Sequence, residues 1–503
     1  MDRRHFLQGL AGAAGALALG TRAATLPDDA VDYAAAFARQ RHQPWTMGYA
    51  GLQADAEPMA LSMRGRLPAE LAGAFYRNGT GRHELGGQRY HHLFDGDGLV
   101  QKYSLSPQGI VHRARFVRTE KFLADSAAGR PVRDGFGTKV PGAQRVSGPD
   151  GVNVANISVL HHGGELMALW EGGSATRLDA DTLETKGLKA WSDDYAGMPF
   201  SAHPRIEPDG TLWNFGSSVA RGLLSVYRVT PSGELAQATT IPVPDLAMVH
   251  DFAVTERHLV FLLPPLVFDR ERFFAGATVL GSYVWKPQLG MRVMVVPKDR
   301  PDAPQWFELP TGFVFHIGNA TEDKGVIRLD YIRSPSAWNA TTGLKELMQG
   351  RYERFEYPAV TVAELDLASG RAKQTQLSHI AEFPRVDPRH VGRHYAQVFH
   401  AARVNVPDTR PGYDTVMRLD VTTGRTDAFR YGDDVMVEEH VFVPSRRARG
   451  EAAGWLVGTA LDLKRERMLF SVFDAQCLRD GPVAQGTLGR VMPLGLHGTF
   501  VPA

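Results

Sequence analysis

The chain has 503 residues, with 56 Lys+Arg against 55 Asp+Glu, a balance that gives no reason to expect a nucleic-acid partner. Its one cysteine, Cys477, excludes an intrachain disulfide, so stability has to come from packing, and a small side chain in a strand or turn is role enough for it. A single domain of this length is reached most simply by repetition around one axis.

The first 24 residues, MDRRHFLQGLAGAAGALALGTRAA, carry Arg3-Arg4, then Phe6-Leu7, then a weakly apolar Ala/Gly run ending at Ala23 and Ala24. This segment resembles a twin-arginine export signal. Its apolar stretch is too short to span a bilayer. A basic tail ahead of a buried helix is the structural alternative. The export reading makes residues 25–503 a single mature domain, periplasmic, and a partner of the twin-arginine machinery. That route moves folded chains, which suits a metal site assembled only on folding. Residues 25–50 read as partly helical, lying across the outside.

Seven segments then read as strand, tight turn, strand. In chain order they are YSLSPQGIVHRARF at Ser104, ATRLDADTLET at Asp179, SVYRVTPSGELAQ at Thr230, VMVVPKDRPDAPQWF at Pro297, VAELDLASGRAKQTQL at Asp366, VMRLDVTTGRTDAF at Asp420 and LFSVFDAQCLRDG at Asp474. Their spacing, roughly 50 to 75 residues, leaves room for four strands and loops per unit. The expected fold is all-β, a seven-bladed propeller. A large β protein with ordinary hairpins is the alternative.

Four histidines follow four of these hairpins by 19 to 24 residues: His203, His250, His316 and His497. Two more hairpins carry a glutamate at a similar offset, Glu382 and Glu439. In a propeller such an offset leads from an outer hairpin to the innermost strand of the next blade. Inner strands converge on the axis, so four distant imidazoles can share one ion. The remaining histidines need no special chemistry. His91 and His92 precede FDGDG, where packing or turn formation suffices, and His161 and His162 sit at a hairpin tip.

The surroundings of these residues resemble the carotenoid cleavage oxygenases, non-haem iron enzymes that split polyene and stilbene double bonds. The matching segments are RNGTGRHELGGQRYHHLFDGDGLV (77–100), RFVRTEKFLAD (115–125), LMALWEGGSATRLDADTLET (166–185), SAHPRIEPDGTLWNFG (201–216) and VHDFAVTERHLVF (249–261). They continue through FHIGNATED (315–323), EFPRVDPRHVGRHY (382–395), EEHVFVPS (438–445) and GPVAQGTLGRVMPLGLHGTFVP (481–502). FDGDG alone is weak; the ordered set, with each histidine in its place, is strong. The resemblance implies a propeller under a loop-and-helix dome. It implies one Fe(II) per chain on His203, His250, His316 and His497, and Glu171, Glu382 and Glu439 accepting hydrogen bonds from three of those ligands. Glu171 rests on the WEGG match alone.

The chemistry is coherent on its own terms. Imidazole suits several transition metals, so four histidines do not name the ion. A ring N–H given to a carboxylate fixes the tautomer and makes the ligand more basic. Four protein ligands on an octahedral ion leave two positions for dioxygen or water. Insertions at residues 264–290 and 335–355 are expected to help form the dome over an apolar tunnel. Phe273, Phe274, Tyr283, Trp285 and Trp338 are the aromatic tunnel candidates, and Lys121 is a candidate to hold a phenol. Apolar residues at the tunnel mouth could also touch a membrane.

The implied reaction is the oxidative cleavage of one C=C bond of a carotenoid or apocarotenoid by O2, giving two carbonyl products. Cleavage of a phenolic stilbene or phenylpropene is the second reading. A non-catalytic propeller that binds a metal or an apolar ligand is the alternative of another class.

Overall fold

The hairpins form where the short polar clusters sit. In the computed structural model, which describes residues 31–407 and 409–503, Asp366 Oδ1 accepts from the amides of Ala368 and Ser369 at 3.0 and 3.1 Å, and Gly370 takes a left-handed φ of 70°. Asp420 repeats the device with Thr422 and Thr423, both at 2.9 Å, and Gly424 at φ 74°. An aspartate that ties off its own turn, followed by a glycine free to adopt that φ, reverses the chain in four residues. Asp179 makes the same bonds to Asp181 and Thr182, but there the left-handed position is Leu183, at φ 64°. The export-signal segment falls outside the described residues.

Each hairpin is the outer part of an antiparallel sheet. One sheet runs outward from Phe252–Val254 through His258–Leu263 and Met291–Pro297 to Gln305–Leu309. Another runs from Arg205–Ile206 through Leu212–Ser218 and Leu223–Val229 to Leu235–Pro242. The strand Arg371–Arg385 serves two sheets. Its first ten residues alternate between exposed and half-buried and pair with Ala359–Asp366; burial sets in at Ala381, and the remainder pairs with Gln397–Ala402. One long strand is thus the outer edge of one blade and the inner edge of the next. Division at that point gives the arrangement of a seven-bladed propeller.

The ring is closed by both ends of the chain. The C-terminal strand Gly498–Pro502 pairs with Gly73–Arg77, and two early strands, Ala56–Ala60 and Ser62–Gly65, add outer edges to the blades at that seam. Blades pack face to face through apolar side chains. Val260, Leu262, Val293 and Val295 of one blade share a cluster with Ile327, Leu329, Ala363 and Leu365 of its neighbour, all essentially buried. A strand covered on both faces needs this near-continuous apolar run.

The segment before the first blade does not lie on the outside. Its helix Tyr33–Gln40 and the 3-10 turn Pro44–Tyr49 bury Tyr33, Phe37 and Trp45 in the main core. Their aromatic content explains this: rings of that size stabilise far more when covered.

Candidate metal centre

All four histidines arrive on the axis from inner edges. His203 precedes Arg205–Ile206, His250 precedes Phe252–Val254, His316 lies inside Phe313–Asp323, and His497 precedes Gly498–Pro502. Their ligand nitrogens lie within 4.8 Å of one another. His203 Nε2 is 2.9 Å from His250 Nε2, and His316 Nε2 is 3.1 Å from His497 Nε2.

Glutamates fix three of the rings. His250 Nδ1 pairs with Glu171 and His316 Nδ1 with Glu382. His497 Nδ1 donates to Glu439 Oε1 at 2.8 Å. These bonds place the ring proton on Nδ1 and leave the Nε2 lone pair bare. His316 and His497 therefore point two lone pairs at each other across 3.1 Å. Such a pair is repulsive unless a cation lies between. Two nitrogens about 2.1 Å from one ion stand about 3.0 Å apart at right angles, and about 3.4 Å apart at the tetrahedral angle. The observed 2.9 and 3.1 Å fit the right-angle arrangement. The donor set fits a transition metal that keeps open positions.

Burial, and then the other three imidazoles, hold His203 well below the ordinary histidine range. Burial likewise depresses His497 to about 3, against the pull of Glu439. Both are thus neutral and able to ligate. His250 moves upward: burial lowers it, but the carboxylates around it, Glu171 first and then Asp251 and Glu382, together outweigh burial. Burial opposes ionisation of Glu439, but Arg385 and His497 hold it well below the usual carboxylate range. Arg385 Nε donates to Glu439 Oε1 at 2.8 Å and the Gly498 amide to Oε2 at 2.7 Å.

A second network lies under the ligands. Arg205 Nη2 donates to Asp251 Oδ1 and Oδ2 at 2.8 and 2.7 Å, and its Nε to Phe252 O at 2.8 Å. Asp251 Oδ2 accepts from the Ile317 amide at 2.8 Å. One ion pair thereby ties the segments bearing His203, His250 and His316. Sequence reasoning assigned no role to Arg205, Asp251 or Arg385, although all three fall in the matched segments.

An apolar cavity opens on the imidazoles. His250, His316 and His497 line it with Phe94, Phe315, Phe383, Tyr49, Tyr413 and Leu347. Phe383 is held at φ 55°, a left-handed conformation costly for a side chain with a Cβ. That turn stacks its ring on His316, centroids 5.6 Å apart, and sets it 5.5 Å from His497. The helical stretch of the second insertion contributes Asn339, Leu344 and Leu347.

None of the six expected tunnel residues lines this cavity. Lys121 is fully buried elsewhere, its Nζ donating to Tyr90 Oη and Asp125 Oδ2, both at 2.6 Å. Asp125 takes up the charge that would have faced a phenol. Phe273 and Phe274 sit on a five-residue helix, and Phe274 is 52% exposed. Tyr283 and Trp285 pack with Leu266 and Phe313, behind the cavity-lining Phe315. Tyr283 is near enough to Glu171 that burial, and then that carboxylate, push its phenol pKa up. Trp338 lies under the Arg354 guanidinium, 5.3 Å from the ring centre.

Comparison with known proteins agrees with this geometry. The family profile described as RPE65, retinal pigment epithelial membrane protein, matches residues 51–502. The chain is 30% identical over 481 residues to an apocarotenoid-15,15'-oxygenase of Synechocystis, covering 91% of this chain and 96% of that protein. It is 28% identical to an isoeugenol monooxygenase of Pseudomonas nitroreducens, covering 89% and 95% of the two chains. It is also 28% identical to a lignostilbene-alpha,beta-dioxygenase of Sphingomonas paucimobilis, covering 92% and 98%. A solved structure of cobalt-substituted Synechocystis ACO superposes with a TM-score of 0.82 at 26% identity, covering 92% of this chain and 99% of that one.

Proposed function

Because the chain belongs to the RPE65 family, that of the carotenoid cleavage oxygenases, we propose that it cleaves one C=C bond of an apolar conjugated substrate with O2, giving two carbonyl products. The observation that carries this is the set of bare imidazole lone pairs converging at one wall of an apolar cavity. Fe(II) held by His203, His250, His316 and His497 would supply the activation of dioxygen and its addition across the alkene. Alkene plus O2 balances two carbonyls, with no further reactant.

The protein's own contribution is placement and exclusion of water. Glu171, Glu382 and Glu439 hold three rings in one tautomer and surround the ion with negative charge. Phe94, Phe315 and Phe383 give the substrate apolar walls beside the imidazoles. The substrate is an apocarotenoid or a phenolic stilbene or phenylpropene. The first is supported by the Synechocystis relative, the second by the isoeugenol and lignostilbene relatives at nearly the same identity.

We further propose that residues 1–24 send the chain to the periplasm by the twin-arginine route, the support being the Arg3-Arg4 pair and the weakly apolar run behind it. Contact with a membrane surface would be peripheral, since no helix among the described residues is long and apolar enough to cross one. Metal analysis with oxygen-uptake assays on an apocarotenal and a hydroxystilbene tests the main reading. Iron, O2 consumption and paired carbonyl products support it. Tight binding with intact substrate and no O2 uptake would select a binding propeller instead.

A further inference from the structure

Three glutamates face the ligand rings, but they are not held alike. Glu382 and Glu439 lie within strands, and each carboxylate also accepts a backbone amide, from Phe383 at 2.6 Å and from Gly498 at 2.7 Å. Their side chains are 10% and 1% exposed. Glu171 lies past the end of its strand, Glu165–Leu169, and its side chain is 28% exposed. A carboxylate on a turn with that much open surface keeps more rotamer freedom, so its aim at His250 has to be set by the turn that carries it.

One side chain clamps that turn. Asp150, in the 3-10 turn Pro149–Val152, reaches Ser174 with both oxygens: Oδ1 accepts from the Ser174 amide at 2.7 Å and Oδ2 from its hydroxyl at 2.8 Å. Asn153 Nδ2 donates to Ser174 O at 2.9 Å and to Asp150 Oδ1 at 3.2 Å, so every polar group of Ser174 is engaged. Gly173 permits the approach, since a Cβ there would stand 2.5 Å from Asp150 Oδ1. The Gly173 carbonyl accepts from the Phe200 amide at 3.0 Å, which joins the same turn to the segment leading into His203. The support is itself fixed: Arg133, buried, donates Nη1 to Gly151 O at 2.6 Å. Asp150 is outside the cavity lining.

We propose that Asp150 is a positioning residue for the metal centre, holding the Glu171 turn through Ser174 so that Glu171 keeps the His250 ring in its ligating orientation. The inference rests on the four-histidine centre of the cleavage reading above. Removing the partner behind a ligating histidine costs roughly 10- to 100-fold in metal affinity or activity, and Asp150 acts through that partner.

The test follows the anaerobic loss of Fe(II) from the iron-loaded protein to a chromogenic chelator, a measurement that needs no substrate. Asp150→Ala should lose iron roughly tenfold faster than the wild type. Asp150→Asn keeps an oxygen for the Ser174 amide and turns its NH2 to a hydroxyl that can rotate to accept, so it should stay within about twofold of the wild type. Glu171→Ala should also lose iron faster. Adding Asp150→Ala to it should change the rate by no more than about twofold, because the turn then carries no carboxylate to aim. Where Asp150→Ala does not fold, Ser174→Ala, which removes the hydroxyl bond alone, takes its place in the same cycle with a smaller acceleration. An iron-loss rate unmoved by these changes, or one accelerated equally with and without Glu171, would make Asp150 a structural residue and overturn the proposal. A wild type that holds no iron overturns it together with the four-histidine centre. A wild type that holds iron but cleaves no substrate fails the cleavage reading alone, and the iron-loss cycle still decides the role of Asp150.

Discussion

The floor and the roof of the cavity are built on opposite principles. The floor is polar, buried and cross-linked. Four imidazoles, three carboxylates and the Arg205–Asp251 pair tie inner strands of different blades to one another. The roof is mostly apolar and comes from a 3-10 turn, a short helix and the end of one strand, with Tyr49, Leu344, Leu347 and Phe383 packed by shape. A cross-linked floor leaves the rings no alternative arrangement, so it sets what chemistry is done. A roof packed by contact alone can change its outline at small cost, so it sets what is admitted.

The comparison breaks most completely at the floor. His250→Ala should abolish metal content and turnover together, checked by metal analysis and oxygen uptake. Normal activity in that variant would remove His250 from the site. Asp251→Ala leaves the Arg205 guanidinium without its partner under three ligand-bearing segments. It should cost roughly 3–5 kcal/mol in denaturant unfolding, the penalty for stranding half of a buried pair. The roof should answer differently. Phe383→Ala removes a ring from the wall but no ligand; KM for an aromatic substrate should rise roughly tenfold, corresponding to about 1.5 kcal/mol of lost apolar contact, with iron content unchanged. Phe274→Ala, on the exposed helix away from the cavity, should shift stability by no more than about 0.5 kcal/mol and leave kcat/KM as it was.

Legibility in the sequence follows the same division. A blade's outer hairpin and the next inner edge are separated by one strand and one crossing, so the offset from Asp420 to Glu439, or from Asp474 to His497, is nearly constant and can be read off the chain. Asp366 and Glu382 fit because one continuous strand, Arg371–Arg385, joins them. Glu171 escapes the offset because it follows the second strand of its blade, Glu165–Leu169, and reaches His250 across a blade boundary.

The roof has no such period. Tyr49, Leu347 and Phe383 come from unrelated segments, and their facing depends on contacts that no local pattern encodes. Aromatic richness pointed to residues 264–290, yet Phe273 and Phe274 have too little around them to be drawn inward, whereas Trp45 and Tyr49 have the main core beneath them. Lys121 was read as a candidate to hold a phenol, but its partner Asp125, one helical turn on, was the missing half of the argument. Phe383 left no trace either: the proline after it favours extended backbone, whereas it adopts a left-handed φ of 55°.

The most direct measurement is anomalous diffraction at the iron edge from crystals of the iron-loaded protein. One peak within bonding distance of Nε2 of His203, His250, His316 and His497 is the predicted result. Iron absent from that point, or bound while any of the four rings turns away, would contradict a centre built on all four.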